Sequence, residues 1–220
     1  MKLIEIKSPA KLNLHLQVLN RRLDGFHNIS SLFTLIDITD GMSFKRTDKY
    51  IDLVESTPIK DNIVQKAAML LKENYGVSKG VTINLSKSIP DQKGLGGGSS
   101  NAASTLLCLN KLWDLDLTQL ELQSLALQLG SDVPFFIYGK TAWAEGRGEL
   151  LSSFQYRERF FILIFPDEKI NTKEAFNSFK IEDDVQLNKE NFHDDLSFNS
   201  FEKWARNKYS FLAHFSKLLN

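Results

Sequence analysis

The chain has 220 residues, 42% of them hydrophobic, with 27 basic and 27 acidic side chains and a formal net charge of zero. That length carries one large domain or two small ones and is ample for a sizeable core. The charge balance excludes a general attraction to nucleic acid or to a membrane surface, so any anion site has to be local.

The N-terminal stretch MKLIEIKSPAKLNL is broken by Lys2, Glu5, Lys7 and Lys11 and contains no apolar run of signal-peptide length. No later run approaches the roughly 18 apolar residues of a membrane helix, so the cytoplasm is the expected compartment. From residue 10 to 18 the sequence alternates, with Ala10, Leu12, Leu14, Leu16 and Val18 on one face and Lys11, Asn13, His15 and Gln17 on the other. This pattern predicts a half-buried strand. Asp24-Gly25 marks a turn, SLFTLIDI reads as the returning strand, and a hairpin is the simplest pairing of the two.

Asp61 or Asn62 can cap a helix carrying Ile63, Val64, Ala67, Ala68, Leu70 and Leu71, which Gly76 ends. VTINLSKSIP alternates again and predicts a strand leading into a glycine loop. After that loop, Ala102, Ala103, Leu106, Leu107, Asn110 and Trp113 recur at helical spacing. The single cysteine, Cys108, lies among leucines in this helix; it excludes an internal disulfide and reads as a small core residue. Thr118 and Glu121 form a capping-box pattern for a further helix that stops at Gly130. SDVP then reads as a loop, FFIY as strand-like, and FFILIF at 160–165 as a buried strand. Residues 167–200 are rich in Asn, Asp, Lys and Glu, and the tail from Phe201 to Leu219 reads as helical.

The most specific stretch is DQKGLGGGSSNAAS, with Gly94, Gly96, Gly97 and Gly98 inside five positions. Between a strand and a helix, glycines let backbone N–H groups approach a ligand, and the helix N-terminus adds unpaired donors and partial positive charge. Phosphate is the usual guest of such a cradle. Ser99 and Ser100 can cap the helix or offer hydroxyls to phosphate and to magnesium. The loop is not a P-loop, which needs Lys-Ser/Thr after its last glycine. Nor is it a dinucleotide fingerprint, whose third glycine position is filled by Ser99. The plainer alternative is a flexible turn, which seldom needs more than one or two glycines.

Three separated segments, SPAKLNLHL at 8–16, GLGGGSSNAAS at 94–104, and LGSDVPFF with AEGRGE at 129–149, resemble the GHMP kinases. DGFH at 24–27 narrows the resemblance to the 4-diphosphocytidyl-2-C-methyl-D-erythritol kinases of non-mevalonate isoprenoid biosynthesis. The resemblance implies an α+β GHMP kinase fold. Residues 1–150 would form an N-terminal domain like the second domain of ribosomal protein S5, and residues 151–220 a truncated ferredoxin-like domain. It implies transfer of the ATP γ-phosphoryl group to the 2-hydroxyl of the cytidyl substrate with Mg2+, with Lys11 and Asp132 as the catalytic pair. ATP would be held by Pro90, Asp91, Gln92, Lys93, Gly94, Leu95, Gly96, Gly97, Gly98, Ser99 and Ser100, with Asn62 and Lys87. Cytosine would lie between Phe26 and Phe176 with His27 at its edge, Asn13 and Thr172 nearby. On the residues alone, Lys11 reads equally as a solvated strand lysine, Asp132 as a turn residue, and the phenylalanines as core.

The sequence departs from the family in three places. Phe26 stands where tyrosine is common. Asp91, Gln92 and Lys93 replace small residues at the loop entrance, and Lys93 either adds a cation to the phosphate site or points to solvent. Family members also continue for several tens of residues and carry a later Gly-Ser/Thr-Gly motif, whereas no glycine follows Phe201; an incomplete C-terminal domain with an exposed apolar face is the expectation. Two alternatives therefore stay open: a GHMP kinase for another small alcohol, and a non-catalytic relative that binds ATP or a partner. An RNA-binding module is disfavoured by the absence of a basic stripe, and oligomeric state has no signature in the sequence.

Overall fold

The structure is a computed structural model and describes residues 2–55, 59–165, 174–176, 187–193, 196–209 and 212. It is mixed α+β. In chain order the elements are β1 (Leu3–Arg21), β2 (His27–Thr47), β3 (Ile51–Glu55), α1 (Ile63–Asn74), β4 (Gly80–Ser86), α2 (Gly97–Leu112), α3 (Gln119–Leu129), α4 (Val133–Tyr138), β5 (Ala142–Glu145), β6 (Leu150–Ser153) and α5 (Glu202–Lys208). Two compact units emerge, the first formed by Met1–Leu12, Thr34–Asp91 and Leu95–Lys140, the second by Asn13–Phe33, Gln92–Gly94 and Thr141–Asn220. β1 and β2 are long enough to contribute to both.

In the first unit β4 runs antiparallel to β2, Gly41 opposite Ser86 through Thr47 opposite Gly80, and parallel to β3. A parallel neighbour requires a crossover, which α1 supplies. Met42, Phe44, Val81, Ile83 and Leu85 are buried on the sheet, as are Val64, Ala67, Ala68 and Leu71 on α1 and Leu106, Leu109 and Leu112 on α2. Of the two candidate caps for α1 the structure uses Asn62, whose side chain accepts the Val64 N–H at 2.9 Å. The capping box of α3 forms as expected, with Thr118 and Glu121 satisfying each other's backbone N–H groups. Cys108 is buried, and burial pushes its thiol up to about 12.

Three expectations need correction. FFIY is not strand-like; it lies in the helix α4, started by Pro134 in its first turn and ended by the left-handed Gly139. A four-residue apolar run fits either period, and the flanking Pro and Gly decide it. FFILIF forms no strand among the described residues, and Phe160 and Ile162 are fully exposed. Apolar composition shows that a segment can be buried, but a strand also needs a hydrogen-bonded neighbour. Finally, residues 10–18 of β1 are covered on both faces rather than half-buried, since Lys11, His15 and Gln17 are buried as well as Ala10, Leu16 and Val18.

The second unit explains part of that burial. Here the start of β2 pairs antiparallel with β5, Leu32 opposite Trp143, and β5 pairs with β6. Leu32, Trp143, Leu187 and Phe192 form a core cluster, with Leu14, Phe154, Tyr156 and Phe198 packed against it. The His15 ring stacks on Trp143 with centroids 5.7 Å apart and meets Phe198 edge-on at 4.9 Å. Gln17 accepts the Leu187 N–H at 2.9 Å. The polar face of β1 is therefore covered by aromatic side chains and by backbone that needs partners.

Burial lowers the His15 pKa from 6.5 to about 4. The unfolded chain takes up a proton below pH 6.5 that the folded chain refuses until about pH 4. The stabilisation is thus present above pH 6.5 and disappears as the pH falls through that window, an effect of about 3 kcal/mol. His15→Phe removes the titrating ring while keeping an aromatic in the stack. Urea unfolding of both proteins at pH 7 and pH 4 should show the natural chain losing about 3 kcal/mol more than the variant. Equal losses would mean that His15 is not held neutral by the fold.

Candidate active site

The site is built where β1, the loop after β4, and the helices α2 and α4 of the first unit converge. Gly96 closes the loop at a left-handed φ of 70° and serves as N-cap of α2 without any side-chain cap bond. A Cβ at Gly96 would lie 2.9 Å from the Phe136 ring and 3.2 Å from Lys11 Cγ, so no side chain fits there. At Gly97 a Cβ would come within 3.1 Å of Ile89 and 3.2 Å of Lys87 Nζ. Bare main chain is thus required at Gly96, whereas at Gly97 a methyl group would need Ile89 and Lys87 to give by a few tenths of an ångström. The first intrahelical bond of α2 is Ser100 N–H to the Gly96 carbonyl at 2.9 Å. The amides of Gly97, Gly98 and Ser99 therefore precede the helix ladder and remain as donors at its positive end.

Lys11 is anchored beside this turn through its own backbone, whose N–H donates to the Leu95 carbonyl at 3.0 Å. Its Nζ lies 3.8 Å from Asp132 Oδ2, with the lysine side chain 8% and the aspartate 36% exposed. Asp132 occupies the N-cap position of α4 but makes no side-chain cap bond there. One carboxylate thus faces solvent beside a buried ammonium, next to a cluster of unpaired amides. An ammonium lying next to backbone donors suits an anion that accumulates charge, and the carboxylate suits a hydroxyl that must give up a proton.

The other expected nucleotide residues fall at distinct places. Asn62 is buried and occupied, capping α1 and donating to Glu55 Oε2 at 2.6 Å. Lys87 Nζ donates to Asp40 Oδ2 at 2.5 Å and to Asn101 Oδ1 at 3.0 Å. The Ser100 hydroxyl is turned inward to Ser8 Oγ at 2.8 Å, so neither it nor Ser99 caps the helix. Ser99 is half-buried, Leu95 is buried, Pro90 is half-buried and Asp91 is exposed. Gln92, Lys93 and Gly94 belong to the second unit, Gln92 with a left-handed φ of 56°.

The expected base-binding residues that the structure describes lie in the second unit. His27 stacks on Phe176 with centroids 5.3 Å apart and 29° between planes, and Phe176 meets Phe201 edge-on at 4.7 Å. Burial, and next the charge of Arg21, lower the His27 pKa. Phe26 is half-exposed with the Arg147 guanidinium 4.6 Å above its ring. Asn13 Nδ2 donates to Ser31 Oγ at 3.3 Å. Thr172 lies outside the described residues.

Sequence reasoning missed Asp40, Ser8, Asn101 and Arg147. Asp40 sits in an apolar strand run, LIDITD, where a carboxylate must find partners, but nothing local says which. Arg147 was visible within AEGRGE, yet its neighbour Phe26 is remote in sequence.

Comparison with known proteins finds clear relatives of the chain. The GHMP kinases N terminal domain matches residues 62–140, which contain α1, the loop and α2 through α4. The 4-diphosphocytidyl-2-C-methyl-D-erythritol kinase of Acinetobacter baylyi is 41% identical over 220 residues, covering 94% of this chain and 77% of that protein. The enzymes of that name from Methylococcus capsulatus and Burkholderia lata are 42% and 46% identical over 80% and 77% of this chain. The chain spans about three fifths of those two relatives, 62% and 59%. A crystal structure of 4-(cytidine 5'-diphospho)-2C-methyl-D-erythritol kinase superposes with a TM-score of 0.80 at 33% identity, over 96% of this chain and 81% of that one. Homoserine kinase from Cytophaga hutchinsonii, 19% identical, shares the fold over 85% of this chain and 62% of its own, with a TM-score of 0.61. On these likenesses the chain belongs to the 4-diphosphocytidyl-2-C-methyl-D-erythritol kinase family of the GHMP kinases.

Proposed function

We propose that this chain transfers the γ-phosphoryl group of ATP to the 2-hydroxyl of 4-diphosphocytidyl-2-C-methyl-D-erythritol, as a step in non-mevalonate isoprenoid precursor synthesis. The observation that carries this reading is the Lys11–Asp132 pair at 3.8 Å, set against a helix N-terminus with no side-chain cap. The amides at Gly97, Gly98 and Ser99 bind the triphosphate, and Lys87 lies beside them. Lys11 neutralises charge on the transferred group. Asp132 orients the attacking hydroxyl and takes its proton late. A carboxylate next to an ammonium is a weak base toward an alcohol. The loose transition state of phosphoryl transfer tolerates this, because it demands little nucleophile strength and is stabilised chiefly by position and charge.

Among the described residues no group of three His, Cys, Asp or Glu side chains is placed to hold a metal ion alone. This donor set fits magnesium arriving with the triphosphate, since that ion keeps most of its water and takes few protein ligands. Ser99 would offer it a hydroxyl, and when bound it would neutralise charge on the triphosphate. The base is recognised by His27 and Phe176 together with Phe26, whose ring keeps one face open when Arg147 covers the other; Asn13 and Thr172 complete the set. On this reading residues 1–150 form the N-terminal kinase domain and residues 151–220 belong to a second.

An ADP-release assay with ATP, Mg2+ and the cytidyl substrate tests the reading directly, with homoserine and mevalonate as competing acceptors. Turnover confined to the cytidyl substrate is expected; ATP binding without any turnover would instead favour a non-catalytic relative. Asp132→Asn and Lys11→Ala should each lower kcat by about 10²- to 10³-fold, with both variants still folded and melting cooperatively and only the buried Lys11 site costing some stability. Near-normal turnover in either variant removes that residue from the chemistry. Gly96→Ala should weaken ATP binding by roughly tenfold or more in isothermal titration, because its methyl group collides with Phe136 and the lysine stem at a left-handed φ. Unchanged affinity would show that the amides of this turn do not contact the nucleotide.

A further inference from the structure

We propose that Asp40 is a positioning residue for the nucleotide site: it holds Lys87 and the backbone entering the glycine loop in the arrangement that presents the Lys87 ammonium to the phosphates. This rests on the reading that the α2 N-terminus receives the triphosphate of ATP.

Asp40 is completely buried. A lone carboxylate in that position would cost several kcal/mol, so its partners are obligatory. It has four. Oδ1 accepts the backbone N–H groups of Ser88 and Ile89 at 2.7 and 2.8 Å, where the chain leaves β4 for the loop. Oδ2 accepts from Lys87 Nζ at 2.5 Å and from Asn101 Nδ2 at 2.9 Å, in the early turns of α2. Burial acts to raise its pKa, but the bonds from Ile89, Lys87, Ser88 and Asn101 outweigh it and hold the carboxyl below its usual range. One anion thus ties β2, the loop entrance and α2 together.

The Asn101 amide is oriented by the same network. Nδ2 donates to Asp40 and, at 3.2 Å, to Ser8 Oγ, while Oδ1 accepts from Lys87. A flipped amide would bring its N–H groups against the Lys87 ammonium. Ser8 Oγ is fixed in turn by Ser100 and Ser104 at 2.8 and 3.0 Å, which extends the network to β1.

For Lys87 the consequence is directional. Two of the three ammonium N–H groups go to Asp40 and Asn101, and the third is left for the exposed side of a side chain that is 23% accessible. Nζ sits 3.2 Å from where a Cβ of Gly97 would be, against the first residue of α2. Without Asp40 the four-carbon stem would be free to swing the charge into solvent.

Asp40→Asn tests the idea with almost no change of volume. Its amide oxygen can still accept from Ser88 and Ile89, but its NH2 group then faces two donors, Lys87 and Asn101, and drives the ammonium away. Isothermal titration with ATP and Mg2+, at fixed ionic strength, is run on the natural chain, Asp40→Asn, Lys87→Met and the double variant, with melting temperature recorded for each. The dissociation constant is expected to rise about tenfold in each single variant and to be no higher in the double than in Lys87→Met, because Asp40 acts through Lys87. The double variant removes both members of a buried pair and should melt above the less stable of the two singles. If Asp40→Asn does not fold, equality of Lys87→Met and the double variant still supports the inference. It is overturned if Asp40→Asn binds ATP within threefold of the natural chain, or if the double variant loses the product of the two single effects, as two independent structural defects would. Absence of ATP binding by the natural chain would overturn both this inference and the kinase reading; either of the other negative results leaves the kinase reading intact.

Discussion

The missing side chain at Gly96 sets the spacing on which the polar geometry of the first unit depends. The loop main chain lies against the Phe136 ring and the Lys11 stem at distances where a methyl group would overlap both. Three elements, β1, the start of α2 and the short helix α4, are thereby held one backbone thickness apart. That contact keeps Lys11 beside Asp132, which directly precedes α4, and leaves the first amides of α2 uncapped beside them. A larger residue would have to displace either the aromatic ring or the strand, and both are buried in close packing that yields little. Steric exclusion thus fixes where the charges stand before electrostatics acts on them.

The electrostatics are strictly local, as a chain with no net charge requires. Lys11 and Lys87 stand near the loop, each beside an aspartate, and the two pairs differ in burial. Asp40 is sealed, with every partner a protein group, whereas the Asp132 side chain is 36% exposed. A sealed carboxylate saturated with donors cannot exchange a proton with a ligand and serves to hold other groups in place. A carboxylate open on one side can meet an incoming hydroxyl. The same Lys–Asp chemistry therefore suits two different jobs, and the difference lies in what surrounds it.

Much of the fold was legible because the governing interactions are local. Asn62 capping α1, the Thr118–Glu121 box and the left-handed Gly25 between β1 and β2 each depend on a few adjacent residues. The glycine loop was legible for a similar reason, since bare backbone ahead of a helix has few uses. FFIY and FFILIF misled because an apolar run gives hydrophobicity without period or partner, and their states were decided by Pro134 and Gly139 in one case and by the absence of a described neighbouring strand in the other. Lys11 and Asp132 are 121 positions apart, and only the family resemblance joined them; nothing around either residue points to the other. Asp40 was illegible for the same reason, with partners 47 to 61 positions away.

β1 shows how such remote partners can still be specified by a simple pattern. Lys11, His15 and Gln17 occupy alternate positions on one strand face, and all three are buried with defined neighbours: Asp132 for the first, the Trp143 and Phe198 rings for the second, the Leu187 backbone for the third. On the same strand Leu16 pairs through its backbone with Phe198 and Ser200, at 2.9 and 2.8 Å. A slip of one residue would turn the whole row over. Lys11 would leave Asp132, Gln17 would abandon a buried N–H, and a leucine would take the place of His15 among the aromatics. Each error alone is of the kind that costs on the order of 1–3 kcal/mol, and they would occur together. Lys11 is thus held in register largely by other residues of its strand, His15 and Gln17 among them, whose partners are Trp143 and Leu187 rather than Asp132.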